Sequence, residues 1–426
     1  YNTFFNTHVF VSFLILISLF LLGIYIFFRS KISNKNFRII SFGIFWFFIT
    51  LSVESSLIPI VDVIFEHRIY LPSVGFFIGI STGFFVLLNK FEGDSYHTIF
   101  IFILIIFVLS FSTLTYLRNN IWKNEIILWR DTIQKSPNKD RPHINLGLTL
   151  KDIGRPEEAM RHYKKALQIN PKSDKAHINL GVAFNDSGQT ELAINHYRKA
   201  LQINPKSDIV YFNLGHALYE LGDTDEAIKN YLKAIDQNPF FDEALNNLGL
   251  AYNYIGNTEI AIKYFLEAIK INPNSAEAHN NLGKTLNNKG YTDKSIEHFL
   301  IAIRNKSDFE EAHINIGHAL KIKGLTEEAK KHYLKALKIN PNAYLAHYNM
   351  GVLFNKQGQP SKAIRHYLAA LKTNPNLEKA HNNLGISLIL TGNKEKAITH
   401  FQKALEINPQ NIQAKNNLEK ALMKKK

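Results

Sequence analysis

Cysteine is missing altogether from the 426 residues, and methionine and tryptophan occur only three times each. Without a thiol there is no disulfide framework, no thiolate metal site and no cysteine nucleophile, although this absence does not choose a compartment. Nor does any stretch read as a Gly-rich phosphate loop. A basic stripe with interleaved aromatics is also lacking, so no nucleic acid is expected as a partner. The formal net charge of +14 is spread instead over Lys and Arg that stand beside Glu and Asp, as in Glu157-Glu158 and Lys164-Lys165. Only Lys424-Lys425-Lys426 forms a run, which is the usual solvated tail. The chain opens on Tyr1 rather than Met, inside apolar sequence, and reads as a piece without its natural start, so no leader can be judged.

What is abundant is repetition. From Asp140 to Asn411 one pattern returns every 34 residues. It is marked by Gly147, Gly181, Gly215, Gly249, Gly283, Gly317, Gly351 and Gly385, each preceded by Leu, Ile or Met and, one position earlier, by Asn. Twelve residues on comes a small residue (Ala159 to Ala397, with Ser295 the exception). Four further is an aromatic, Tyr163 to Phe401, and three after that a second Ala, Ala166 to Ala404. Pro closes seven of the eight copies, and Ser307 stands in its place in the fifth. Small residues let two antiparallel helices cross closely. The aromatic fills the space between them, and Asn-Pro stops the second helix. A lone hairpin leaves an apolar face uncovered, so neighbours must stack. This spacing resembles the tetratricopeptide repeat. The resemblance implies an all-α fold with a solenoid over about two-thirds of the chain. No repeat carries a nucleophile or a metal-ligand set, so the solenoid reads as a binding surface for a protein or peptide.

The first part of the chain reads differently. His8 to Phe28 has no formal charge over 21 residues, enough to cross a bilayer core. Further apolar runs at Phe37–Leu51, Ile69–Leu88 and Thr98–Leu117 make four expected spans. Arg29, Lys31, Lys35 and Arg38 between the first two belong in the cytoplasm by the positive-inside rule. Counting onward puts the repeats on the extracytoplasmic side of an integral membrane protein. Arg118, Lys123 and Arg130 argue weakly for the reverse. The expected organisation is a multi-span helical membrane region over 1–117, a junction helix within 118–139, eight repeats over 140–411 and a capping helix over 412–426. Trp129 and Pro137 lie 34 residues before Tyr163 and Pro171, so Ile121–Gln134 reads as the second helix of an incomplete repeat.

Charged residues beside hydrocarbon are costly and often functional. Between the second and third runs stand Glu54, Pro59 and Asp62, then Glu66-His67-Arg68, then Tyr70-Leu71-Pro72-Ser73. Either Glu66 and Arg68 pair at the interface, or His67 and Arg68 hold a lipid phosphate through charge-assisted bonds. This string, followed by apolar runs and tetratricopeptide repeats, is similar to the transmembrane and tetratricopeptide-repeat O-mannosyltransferases. That resemblance implies a multi-span glycosyltransferase that moves a mannose-like sugar from a polyprenyl-phosphate donor to protein, with membrane lipid as a second partner. Such enzymes place their catalytic acid in an early outer loop that this sequence does not contain, so no catalytic residue is named. The alternative is a membrane-anchored scaffold that only binds proteins, and an inverted topology would make it a cytoplasmic adaptor.

Two columns stand out within the repeats. Asn145, Asn179, Asn213, Asn247, Asn281, Asn315, Asn349 and Asn383 share one position on the first helix. A carboxamide both donates and accepts, so such a ladder can hold an extended peptide backbone whatever its side chains. The array resembles O-GlcNAc transferase repeats in this respect. Bonding within or between hairpins is the other reading. Histidines form the second pattern. His143, His177, His279, His313, His347 and His381 occupy one first-helix position, and the same six repeats carry His162, His196, His298, His332, His366 and His400 on the second helix. The co-occurrence predicts contact within each hairpin. Two ligands per repeat, with no carboxylate or Cys added, suit zinc poorly. Paired neutral imidazoles are the expectation, though duplication of a repeat would also produce the correlation.

Overall fold

The computed structural model describes residues 17–28, 39–46, 82–83, 102, 106, 109, 113 and 123–423. Most of the four apolar runs, and His67 with Arg68, lie outside the described residues. Among those described, no helix is long and apolar enough to cross a membrane. The chain divides into two compact units, Tyr1–Pro171 and Lys172–Lys426.

In the first unit, helical residues 17–28 and 39–46 pack together. A Cβ on Gly23 would come within 2.8 Å of Ile44, the Ser41 hydroxyl donates to the Gly23 carbonyl at 3.1 Å, and Phe20 meets Phe45 edge-on. The junction helix runs Glu125–Lys135. It starts later than Ile121 because Asn124 takes the N-cap, its side chain accepting from the Ile126 and Ile127 amides at 2.9 and 3.2 Å. The first repeat follows as Asp140–Asp152 and Pro156–Ile169.

The second unit is a helical solenoid. Seven more pairs run from Asp174–Asp186 with Thr190–Ile203 to Glu378–Leu390 with Lys394–Ile407, and Ile412–Leu422 closes the row. The physical cause is the same in each hairpin. The Gly of the first helix lies against the aromatic ring of the second: a Cβ on Gly249 would sit 2.6 Å from a ring carbon of Phe265, and one on Gly317 2.5 Å from Tyr333. Those rings and the flanking Ala261, Ala268, Ala329 and Ala336 are fully buried. A second glycine column turns the chain between the helices. Gly222, Gly256 and Gly290 have φ of 85°, a left-handed conformation that side chains resist.

The Asn that precedes each closing Pro does more than stop a helix. Asn238 donates to Asp208 at 2.9 Å, Asn272 to Asp242 at 2.7 Å and Asn340 to Glu310 at 2.7 Å. Each bond ties the end of the second helix to the first turn of its own repeat, where a carboxylate also suits the helix dipole.

The histidines meet as the co-occurrence predicts. In all six hairpins the two Nδ1 atoms are 2.9 to 3.1 Å apart. The other nitrogen of His279, His347 and His381 faces the carbonyl of Pro273, Pro341 and Pro375 at 3.0 to 3.2 Å. A carbonyl only accepts. In these three hairpins the carbonyl therefore favours one arrangement of the pair, the first-helix ring donating from Nε2 and accepting at Nδ1. Burial, and then the partner imidazole, bring His332 and His366 down to about 4. Burial likewise lowers His143, His279, His313, His381 and His400.

Two outcomes are expected. Gly249→Ala should cost about 1–3 kcal/mol in a urea titration, because the Phe265 ring has nowhere to go; an unchanged midpoint would show that the ring can move aside. For the imidazoles, the folded values lie below the unfolded one of about 6.5, so the unfolded chain takes up protons first. Their contribution is complete above about pH 6.5 and is lost as pH falls toward the folded values. Thermal melts should thus show Tm falling between about pH 7.5 and 5.5, above the range where carboxylates titrate. A flat profile there would remove the imidazole pairs from the stability of the fold.

Candidate peptide-binding groove

The first helices of successive repeats turn one face toward a cleft of about 650 Å³ in the second unit. Val182, Asn185 and Asp186 reach it from the second repeat, and Phe212, Asn213 and His216 from the third. The fourth contributes Asp242, Glu243, Asn246 and Asn247, and the fifth Ser275 and Glu277. Spacings of three and four residues put these side chains on one helical face. Tyr197, from a second helix, closes one wall.

Of the asparagine column, Asn213 and Asn247 line this cleft. Asn145, Asn179, Asn213, Asn247, Asn281, Asn315 and Asn383 are half-buried, and Asn349 is buried. Several bond across repeats. Asn281 donates to Asn246 and Asn315 to Asn280, both at 3.0 Å, and Asn383 donates to the Tyr348 hydroxyl at 3.3 Å. The capping helix continues the series, with Asn417 donating to Asn382 at 3.0 Å. Asn349 departs from it: its amide donates to the Leu345 carbonyl at 2.9 Å and its oxygen accepts from Lys321 at 3.2 Å. Burial, and then the nearby Lys356, pull the Lys321 ammonium below its ordinary value. The acceptor positions 246, 280 and 382 form a second amide column that the sequence reading passed over. Its signal was present in the doublets Asn246-Asn247, Asn280-Asn281 and Asn382-Asn383. Inter-repeat bonding uses one amide N–H of Asn281 or Asn315 and leaves their oxygens capable of accepting from another chain.

Carboxylates mark the wall of the cleft. Partial burial, and then hydrogen bonding and charge from Asp242, push the Glu243 carboxyl up. Among the described residues no group of three or more His, Asp or Glu side chains converges as a metal site.

Comparison with known proteins agrees with this architecture. Models described as tetratricopeptide repeat match residues 141–173, 242–275, 264–297, 344–377 and 378–411, and a model described as TPR repeat matches 183–222, 215–256 and 317–358. The chain is 32% identical over 105 residues to the human protein O-mannosyl-transferase TMTC1 and 31% identical over 105 residues to Xenopus laevis protein O-mannosyl-transferase tmtc2. Each match covers 25% of this chain and 12% of the relative, so the chain spans only a small part of those proteins. Among solved structures, the APC/C hetero-tetramer Cut9-Hcn1 shares the fold with a TM-score of 0.53 at 18% identity, over 68% of this chain and 57% of that one. The repeat matches together span more than half of the residues, and the chain belongs to the tetratricopeptide repeat family.

Proposed function

We propose that the repeats bind an extended stretch of protein along the first-helix face, and that the chain is part of a membrane glycosyltransferase acting on protein. The observation that carries the first half is the half-buried carboxamide column, two of whose members line an open cleft. Amides in a groove recognise a backbone whatever its side chains, and stacked repeats keep them in register. The second half is supported by the partial likeness to protein O-mannosyl-transferases and by the string from Glu54 to Ser73. On this reading the apolar runs sit in the bilayer, His67 and Arg68 hold the phosphate of a polyprenyl-phosphate sugar, and the repeats face the extracytoplasmic side to present the acceptor.

The two halves are tested separately. Asn213→Ala with Asn247→Ala should weaken binding of an unstructured peptide about tenfold, the loss of one to two hydrogen bonds, with helical circular dichroism unchanged. Equal affinity would refute the ladder. For topology, the absence of cysteine is an advantage: single cysteines replacing Asn342 or Asn34 can be probed on intact cells with a membrane-impermeant thiol reagent. Labelling at position 342 and not at 34 is expected. The reverse result would put the repeats in the cytoplasm and end the transferase reading.

A further inference from the structure

The third and fourth repeats depart from the others together. Tyr211 and Asn230 replace the histidine pair in the third, and the Asn230 amide turns back to the Glu226 carbonyl at 2.8 Å. In the fourth, Leu245 and Tyr264 stand at those positions, and the Tyr264 ring stacks on Tyr252 at 5.6 Å. These are the two repeats at the centre of the cleft. The chain holds 50 Lys and Arg against 36 Asp and Glu, yet no Lys or Arg lines the cleft, while Asp186, Asp242, Glu243 and Glu277 do.

The state of these groups differs. Glu277 is already paired with Lys306 at 2.9 Å, and Asp242 accepts from Asn272. Glu243 forms no ion pair among the described residues, and its neighbour is another carboxylate. On the cleft wall the Asn185 amide donates to Glu220 at 2.8 Å, and its side-chain oxygen is buried without a partner, as is that of Asn287 at the same position three repeats on. Phe212 adds aromatic surface beside the carboxylates, suited to the aliphatic stem of a long cationic side chain.

We infer that the cleft across the second to fifth repeats is selective for an extended peptide segment bearing Lys or Arg, its cation set against the Asp242–Glu243 pair. The inference rests on the peptide-binding reading above and adds the charge class of the partner. The amides serve the backbone and the carboxylates the side chain, so selectivity and affinity reside in different groups. Exposed charge pairs are screened by salt, so the preference should shrink as ionic strength rises.

The test uses the whole chain and three labelled Ser/Gly peptides of equal length, bearing several Lys, several Glu or neither, with affinity read by fluorescence anisotropy. The Lys peptide should bind about tenfold more tightly than the neutral one, for a few screened charge contacts. Glu243→Gln should reduce that ratio and Glu243→Lys should abolish it, with circular dichroism unchanged in both. Equal binding of all three peptides would overturn the charge selectivity and leave the peptide-binding reading standing. No binding by any peptide would end both. Self-association of the chain that vanishes in Glu243→Lys, without a Lys-peptide preference, would assign the cleft to a second copy and overturn the inference.

Discussion

Everything in the repeat region depends on one contact, the ring of the second helix packed against the glycine of the first. A Cβ at any of the eight glycines would fall within 2.4 to 2.9 Å of that ring. Close approach requires the missing side chain, and the approach is what buries the ring completely. The flanking alanines, also buried, set how near the helix axes come. With that spacing established, the exposed faces of neighbouring first helices within the second unit line up, and the groove follows.

Polar groups then decide how each hairpin is locked. Six of them use a pair of imidazoles in contact through Nδ1, and in three of these a prolyl carbonyl faces Nε2 of the first-helix ring. The clamp from Asn238, Asn272 or Asn340 to an acidic first turn closes the other end. Satisfied polar pairs of this kind specify geometry, since an unpaired buried group is costly. The third and fourth repeats give up the imidazoles and fill the space with Tyr264 on Tyr252 or with an Asn230 bond to its own helix. Uniform repeats make a scaffold, and the interruption falls where the cleft lies.

Much of this was legible in the residues. The period, the helix pairs, the aromatic against the glycine and the meeting of the histidines all follow from spacing, because a 34-residue repeat forces equivalent positions into equivalent surroundings. The turn glycines from Gly154 to Gly392 were as regular and equally legible, as their positive φ confirms. Other features were not readable in this way. Asn281 could have faced a ligand or a neighbouring repeat, and both readings have the same periodicity; only the structure shows its amide bonded to Asn246 of the neighbouring repeat at 3.0 Å. The start of the junction helix likewise turned on one side chain, Asn124, competing for its own backbone amides.

The sequence by itself determined the all-helical repeat, its register and which side chains recur on each face. Those are consequences of local propensity and of a fixed period, and need no knowledge of distant contacts. The tertiary structure decided what lies next to what between repeats: the second amide column as acceptor, and the acidic cleft in a basic chain. Asp186, Asp242 and Glu277 stand in three different repeats. Periodicity relates like positions to one another, but only the rise and turn from one hairpin to the next bring unlike positions to a common wall.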